Sequence, residues 1–199
     1  VVVAEGVEDE PVLAARMRPN GALAVKEFLA RKAAGEAAPQ ASLTRWLAAN
    51  PGDSGVRMAL ASHYESAGDR KAAIGEYERI IAADPMPVAW NNLGWHYYES
   101  GDQRALEVAR RAHQLAPGNT DIADTLGWIL VERGQHEEGL KLLEGAARGG
   151  SAEVRYHYAA ALARSNQRQR AVEVLRNLLS ETPEFASRKQ AQAPLDSLT

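Results

Sequence analysis

Five histidines, a pair of carboxylates and a dense group of aromatic rings are the residues of this 199-residue chain whose types could do chemistry. His63 and His96 are the histidines nearest to a metal pair. They occupy corresponding places in two similar segments, "MALASHYESAGD" and "NNLGWHYYESGD". Neighbouring packed helices lie roughly 8–10 Å apart, whereas each zinc ligand must come within about 2.0–2.1 Å of the ion. His113 and His136 fall near helix ends and are expected to face solvent, and His157 stands beside Tyr156. "HEEG" at His136 lacks the second His of a metalloprotease helix, and no G-x-S-x-G or phosphate-binding loop is present. Asp121 and Asp124 could serve as an acid and a base. Two acids opening a helix are more simply explained by its dipole and its free N–H groups. The expectation is therefore a protein that is not an enzyme, with no cofactor and no metal. The aromatic group "WNNLGWHYYESGD" (Trp90 to Asp102) then poses a different question, whether its rings bind something or only pack.

The elements that carry these residues repeat. Ala61, Gly94, Gly127 and Ala159 each sit in a similar motif, at spacings of 33, 33 and 32 residues. A fixed period of that size marks a helical solenoid. Seven residues after each small residue comes Gly68, Gly101, Gly134 or Asn166, types that tolerate the left-handed conformation ending a helix. A second small residue follows at Ala73, Ala105, Gly139 and Ala171, and then an apolar pair: Tyr77/Ile80, Ala109/Ala112, Leu143/Ala146 and Leu175/Leu178. Pro51, Pro85, Pro117 and Pro183 close most copies, because proline cannot continue the helical ladder. In the third copy "RGGSAE" takes that place. Two copies are one residue short, Gly94 to Ala105 and Gly127 to Ala159. The expected result is a tighter turn at Gly101–Gln103 and another near Arg148–Ser151. Gly94 is expected to be the small position most sensitive to enlargement.

This pattern resembles the tetratricopeptide repeat (TPR) family, whose signature W-x2-L-G-x2-Y is met by Trp90, Leu93, Gly94 and Tyr97. The resemblance implies an all-α, right-handed superhelical solenoid of TPR helix-turn-helix repeats. It divides the chain into degenerate or truncated repeats over 1–53, four repeats at about 54–86, 87–118, 119–150 and 151–183, and a C-terminal capping helix and tail over 184–199. "GALAVKEFLARKAAG" and "SLTRWLAANPGD" read as the two helices of a degenerate repeat, and 1–19 as the last helix of a truncated one. "PEFASRKQAQA" reads as a polar cap stopped by Pro194. The run of "WNNLGW", "ALEVARRAHQLAPGN", "DTLGWILVERG" and "EVRYHYAAALARSNQRQRAVEVL" also resembles the TPR lipoproteins of exosortase/PEP-CTERM exopolysaccharide systems. That narrower resemblance implies a periplasmic or outer-membrane-associated scaffold; without it the expected compartment is the cytoplasm. The lipid-attachment Cys of that group is not among these residues, so an anchor is not carried over.

In the TPR arrangement Trp90, Leu93, Gly94 and Tyr97 pack, and a second set of first-helix places faces a concave groove. Asn91, Trp95 and Tyr98 occupy such places in one repeat, and Asp121, Asp124, Trp128 and Val131 in the next. Glu153, Tyr156, Ala160 and Ala163 follow in the last. Asn91, Trp95 and Tyr98 lie at i, i+4 and i+7, one stripe of a helix. The candidate groove is thus Asn91, Trp95, Tyr98, Asp121, Asp124, Trp128 and Tyr156. One reading is an aromatic platform for a partner; the other is that the rings fill gaps between helices. Glu65, Glu99, Asp121, Asp124, Glu132 and Glu153 against Arg164 favour a neutral or basic protein or peptide segment. The TPR clamp for acidic C-terminal peptides also needs Lys and Arg beside Asn91 and Asn92, and these are missing. The alternative is carbohydrate, with Trp95, Tyr98, Trp128 and Tyr156 stacking on sugar rings and Asn91 and Asp124 bonding hydroxyls.

Composition narrows the classes further. The chain is 45% hydrophobic and 25% charged with a net charge of −3, and no run of five like charges occurs. This argues against a nucleic-acid footprint or a basic membrane-surface helix. No apolar run is long enough to span a bilayer, so direct membrane insertion is not expected. Zero cysteines exclude disulfides, thiolate zinc sites and Cys nucleophiles, without fixing the compartment. The opening "VVVAEGVEDE", without Met or a signal-peptide pattern, reads as the start of a fragment or processed product.

Overall fold

The computed structural model describes residues 19–182 and 184–196. Among them the chain forms eleven helices and no strand. They are α1 (Pro19–Ala33), α2 (Ala41–Ala49), α3 (Ser54–Ser66), α4 (Arg70–Ala83), α5 (Pro87–Glu99), α6 (Ala105–Leu115), α7 (Thr120–Glu132), α8 (His136–Ala147), α9 (Ala152–Arg164), α10 (Arg168–Glu181) and α11 (Arg188–Asp196). The expected helix over 1–19 and the expected closing Pro183 lie outside the described residues. Consecutive helices pack against each other, most extensively α3 with α4, α5 with α6, α7 with α8 and α9 with α10, and α5 also touches α7, as α7 touches α9. The first helices of successive repeats therefore stand side by side. The architecture is an all-α solenoid of helix-turn-helix repeats.

Local chemistry sets the helix ends. Asp53, Asp69, Asn119 and Ser151 each precede a helix, and each accepts a hydrogen bond from a first-turn N–H. Pro87 opens α5, where its missing N–H costs nothing. The first helices end alike. Gly68, Gly101, Gly134 and Asn166 adopt φ of 76°, 72°, 79° and 59°. The next residue's N–H then reaches back to the carbonyl of Tyr64, Tyr97, Leu130 or Leu162 at 2.8–2.9 Å. That 6→1 bond satisfies a carbonyl the helix leaves free.

The two short copies lose their residue from a helix and not from a turn. The Gly101 turn keeps the same geometry as its counterparts, so the expected tightening does not occur there. Instead, α6 starts late and spans 11 residues, against 14 in α4 and α10. The Asp102 carboxylate accepts from the Arg104 N–H at 2.9 Å and holds the unwound stretch. In the third copy α8 has 12 residues, and the 148–151 linker is as long as the 116–119 linker. The left-handed glycine turn is a closed hydrogen-bonded unit, whereas an exposed helix end can lose a turn cheaply. The C-terminal helix also departs from expectation: it begins at Arg188 and continues through Pro194 to Asp196.

The core is a series of clusters, one at each helix-pair junction. Phe28, Leu43, Leu47, Val56 and Leu60 form the first. Tyr77, Ile80, Met86, Leu93 and Tyr97 dominate the largest. Leu126, Ile129 and Leu130 follow, then Leu143, Tyr158 and Leu162, then Leu175 with Ala191 of α11. Small residues set how closely each pair approaches. A β-carbon on Gly94 would stand 3.2 Å from the Ala109 backbone nitrogen. One on Gly127 would meet Leu143 Cγ at 2.7 Å, and one on Gly139 the Gly127 carbonyl oxygen at 2.6 Å. The α7/α8 pair is therefore more closely packed than the α5/α6 pair. The expectation that Gly94 is the most sensitive position is corrected in favour of Gly127 and Gly139.

Candidate functional site

Three first helices, α5, α7 and α9, bring most of the candidate residues into one strip. The Trp95 and Tyr98 ring centroids lie 5.3 Å apart. Trp128 Nε1 donates to the Tyr98 hydroxyl at 3.2 Å, and that hydroxyl donates to Glu132 at 3.1 Å. The Trp128 ring is 5.9 Å from the His157 ring, which is 6.0 Å from Tyr156. Arg164 lies over the Trp128 face at 4.9 Å and pairs with Glu132. Trp95, Tyr98, Trp128 and Tyr156 are all half-buried. A face left partly wet is what stacking on a partner requires.

Asp124 departs from its expected role. Asn119 caps α7, with its side chain accepting from the Asp121 and Ile122 N–H groups. Asp121 is exposed in the first turn, but Asp124 is buried at 8% exposure. Its Oδ2 meets His157 Nδ1 at 2.5 Å, and its Oδ1 has no partner. Burial holds the Asp124 carboxyl above the usual carboxylate range, against the pull of His157. Burial would lower His157, but the Asp124 hydrogen bond and charge, with Glu153, outweigh it and raise its pKa. Burial also raises the hydroxyls of Tyr98 and Tyr156, with Glu132 and Glu153 respectively adding to it.

Asn91 is not part of the open strip. It is 3% exposed, and its side-chain oxygen has no partner. The carboxylates are also less available than their number suggests. Glu65 lies 3.3 Å from His96 and accepts from the Tyr77 hydroxyl; Glu99 pairs with Arg70, and Glu132 with Arg164. Glu153 accepts from the Ser187 N–H. Asp121 alone among the groove acids named has neither ion pair nor side-chain hydrogen bond among the described residues.

His157 was the member least visible in the sequence. A signal existed: Asp124 and His157 are 33 residues apart, Glu132 and Arg164 32, and Tyr98 and Glu132 34. An offset of about one period places two residues side by side on neighbouring first helices.

The other histidines divide. His136 is exposed, where Ser165 meets its ring at 3.0 Å. His113 is half-buried instead of solvent-facing, and its Nδ1 is buried without a partner. His63 packs edge-on against Phe28, and burial, with Lys32, lowers its pKa. His96 stacks on Tyr77 at 5.7 Å. Among the described residues no group of three or more acids and histidines is placed to hold a metal ion. No described helix is long and apolar enough to cross a membrane.

Residues 90–186 match the family model of the tetratricopeptide repeat. No curated protein sequence matches the chain significantly. Several solved structures share the fold. The MamA protein is 17% identical with a TM-score of 0.67, covering 87% of this chain and 93% of its own. YrrB, described as a TPR protein with an unusual peptide-binding site, is 18% identical with a TM-score of 0.65, covering 94% and 92%. A thermophilic TPR protein of Thermus thermophilus is 17% identical with a TM-score of 0.69, covering 88% and 98%. Identities this low speak for the fold alone. The regular helix pairs, the left-handed turn closing each first helix and these likenesses make the fold a tetratricopeptide repeat solenoid.

Proposed function

We propose that this protein is a non-enzymatic interaction scaffold that holds a neutral or basic protein segment along the strip from Trp95 to Tyr156. The observation that carries the reading is the unbroken contact of Trp95, Tyr98, Trp128, His157 and Tyr156 across three helices, with its indole and phenol rings half-exposed. A solenoid offers an extended surface for such a segment. Amphipathic rings supply large contact area at small entropic cost. Preference for a basic segment rests chiefly on exposed Asp121, since the other groove acids are already engaged by neighbouring residues. The fold's likeness to a protein with a peptide-binding site adds support. The order of the "WNNLGW" and "DTLGWILVERG" motifs motivates a narrower proposal, a place in bacterial cell-envelope or exopolysaccharide export assembly.

A peptide array, and separately an exopolysaccharide, titrated against the tryptophan fluorescence of the purified chain tests this reading. Saturable binding of peptides, weakened by Trp95→Ala combined with Trp128→Ala, is expected. Quenching by polysaccharide and by no peptide would replace the protein partner with a carbohydrate. A collapse of the melting temperature in the double variant, as for core tryptophans at roughly 3–5 kcal/mol each, would remove the strip as a binding face.

A further inference from the structure

Away from the aromatic strip, a cleft of about 560 Å³ opens between α6 and α8. Its size falls within the roughly 300–1,000 Å³ of small-ligand sites. Its walls are the second helices of adjacent repeats, and Ala123, Leu126, Leu142 and Ala146 supply its apolar lining. We propose that this cleft binds a small apolar monocarboxylate, with the carboxylate between His113 and Lys141 and the hydrocarbon against that apolar lining.

Charge along the cleft points to this ligand class. Arg110 donates to both oxygens of Glu138, at 2.7 and 2.9 Å, and to Gln135 at 3.1 Å. That pair bridges the two helices and is neutral. Three residues further along each helix, the next row is His113 on α6 and Lys141 on α8, both lining the cleft. This row has donors and no acid. Lys141 forms no ion pair among the described residues. His113 lines the cleft with its Nδ1 buried, which leaves Nε2 as the ring nitrogen that can donate to a ligand there. An amine there would face the Lys141 ammonium, and a neutral head group would leave it uncompensated. A carboxylate would satisfy both donors and repeat the Arg110–Glu138 pairing one turn on.

Space for the hydrocarbon comes from missing side chains. Gly118 and Gly145 line the cleft, and a β-carbon on either would meet no atom within 4 Å. Gly145 sits one turn beyond Lys141 on the same wall. Helix stability alone would favour Ala at such a helical position.

The test is an amide NMR titration of the ¹⁵N-labelled chain with hexanoate, hexanol and hexylamine. Hexanoate is expected to give saturable shifts at Lys141, Leu142, Gly145 and Ala146. Lys141→Ala should weaken binding about tenfold, the size of one lost charge-assisted hydrogen bond. Gly145→Leu should plug the cleft and abolish binding. Gly75→Leu, at a helical glycine of α4 with equally open surroundings, should bind like the wild type. The proposal is overturned if no saturable shift appears, if hexylamine or hexanol binds as tightly as hexanoate, or if Gly145→Leu binds unchanged.

Discussion

At the scale of residues, the tightest contacts are between glycine backbones. Gly139→Ala would press a methyl group against the Gly127 carbonyl and the Val131 backbone nitrogen, groups that cannot rotate away. Overpacking of that kind costs about 1–3 kcal/mol, more than the roughly 1 kcal/mol of helix propensity that alanine returns. Gly94→Ala meets Ala109 at 3.2 Å and needs only a small shift. Thermal melts are expected to rank Gly139→Ala well below the wild type and Gly94→Ala close to it. The Asp124–His157 pair gives a second prediction at this scale. His157 is raised above its ordinary value, so the folded chain holds that proton more tightly than the unfolded chain. Its stabilising contribution is full below about pH 6.5 and is lost as pH rises through the folded value. The raised Asp124 has the same sign, its contribution falling as pH rises above about 3.9. Urea unfolding should show the His157 contribution being lost as pH rises above about 6.5, offset in part by His63, whose lowered value has the opposite sign. The combined Asp124→Asn and His157→Gln variant should flatten that slope; an unchanged slope would assign it elsewhere.

At the scale of elements, the turn between paired helices is the rigid unit and the helix end is the adjustable one. Gly101→Ala forces a β-carbon into positive φ, at a cost of roughly 1–2 kcal/mol. Asn166 already occupies the same conformation at φ 59°, so Asn166→Gly should be neutral or slightly stabilising. A clear loss of stability for Gly101→Ala and none for Asn166→Gly in chemical denaturation is the expected outcome. The Arg110–Glu138 bridge joins α6 and α8 but is 41% and 47% exposed at its two side chains. Surface pairs contribute about 0–1 kcal/mol. Arg110→Leu is therefore expected to shift the denaturation midpoint little, despite three hydrogen bonds in the structure.

At the scale of the whole molecule, each helix pair is held by its neighbours, so protection should decline from the middle outward. The largest cluster joins α3, α4, α5 and α6 through Tyr77, Leu93 and Tyr97. At one end, α1 leaves Leu23 at 66% and Leu29 at 46% exposure. Native-state hydrogen exchange should be slowest in α5 and α7 and faster in α1, α2 and α11. Uniform protection along the chain would mean that the solenoid unfolds as one unit.

The period of 33 residues, the small residues and the turn glycines were enough to place the helix pairs, because each depends on local propensity and on a spacing that survives in one dimension. The ring-bearing stripe Asn91, Trp95 and Tyr98 was readable for the same reason, although only the fold separates buried Asn91 from half-exposed Trp95. Three matters depended on tertiary structure. One was where a missing residue is taken up, since a helix end and a turn of equal length compete through packing. Another was which glycine is tightest, since that is set by the approach of two backbones distant in sequence. The last was the state of the carboxylates. Asp124, Glu65, Glu99 and Glu132 look free in the sequence and find their partners at residues brought alongside by the repeat stacking. Charge in a list of residues is additive, whereas charge in a folded groove is what remains after neighbouring helices have paired it.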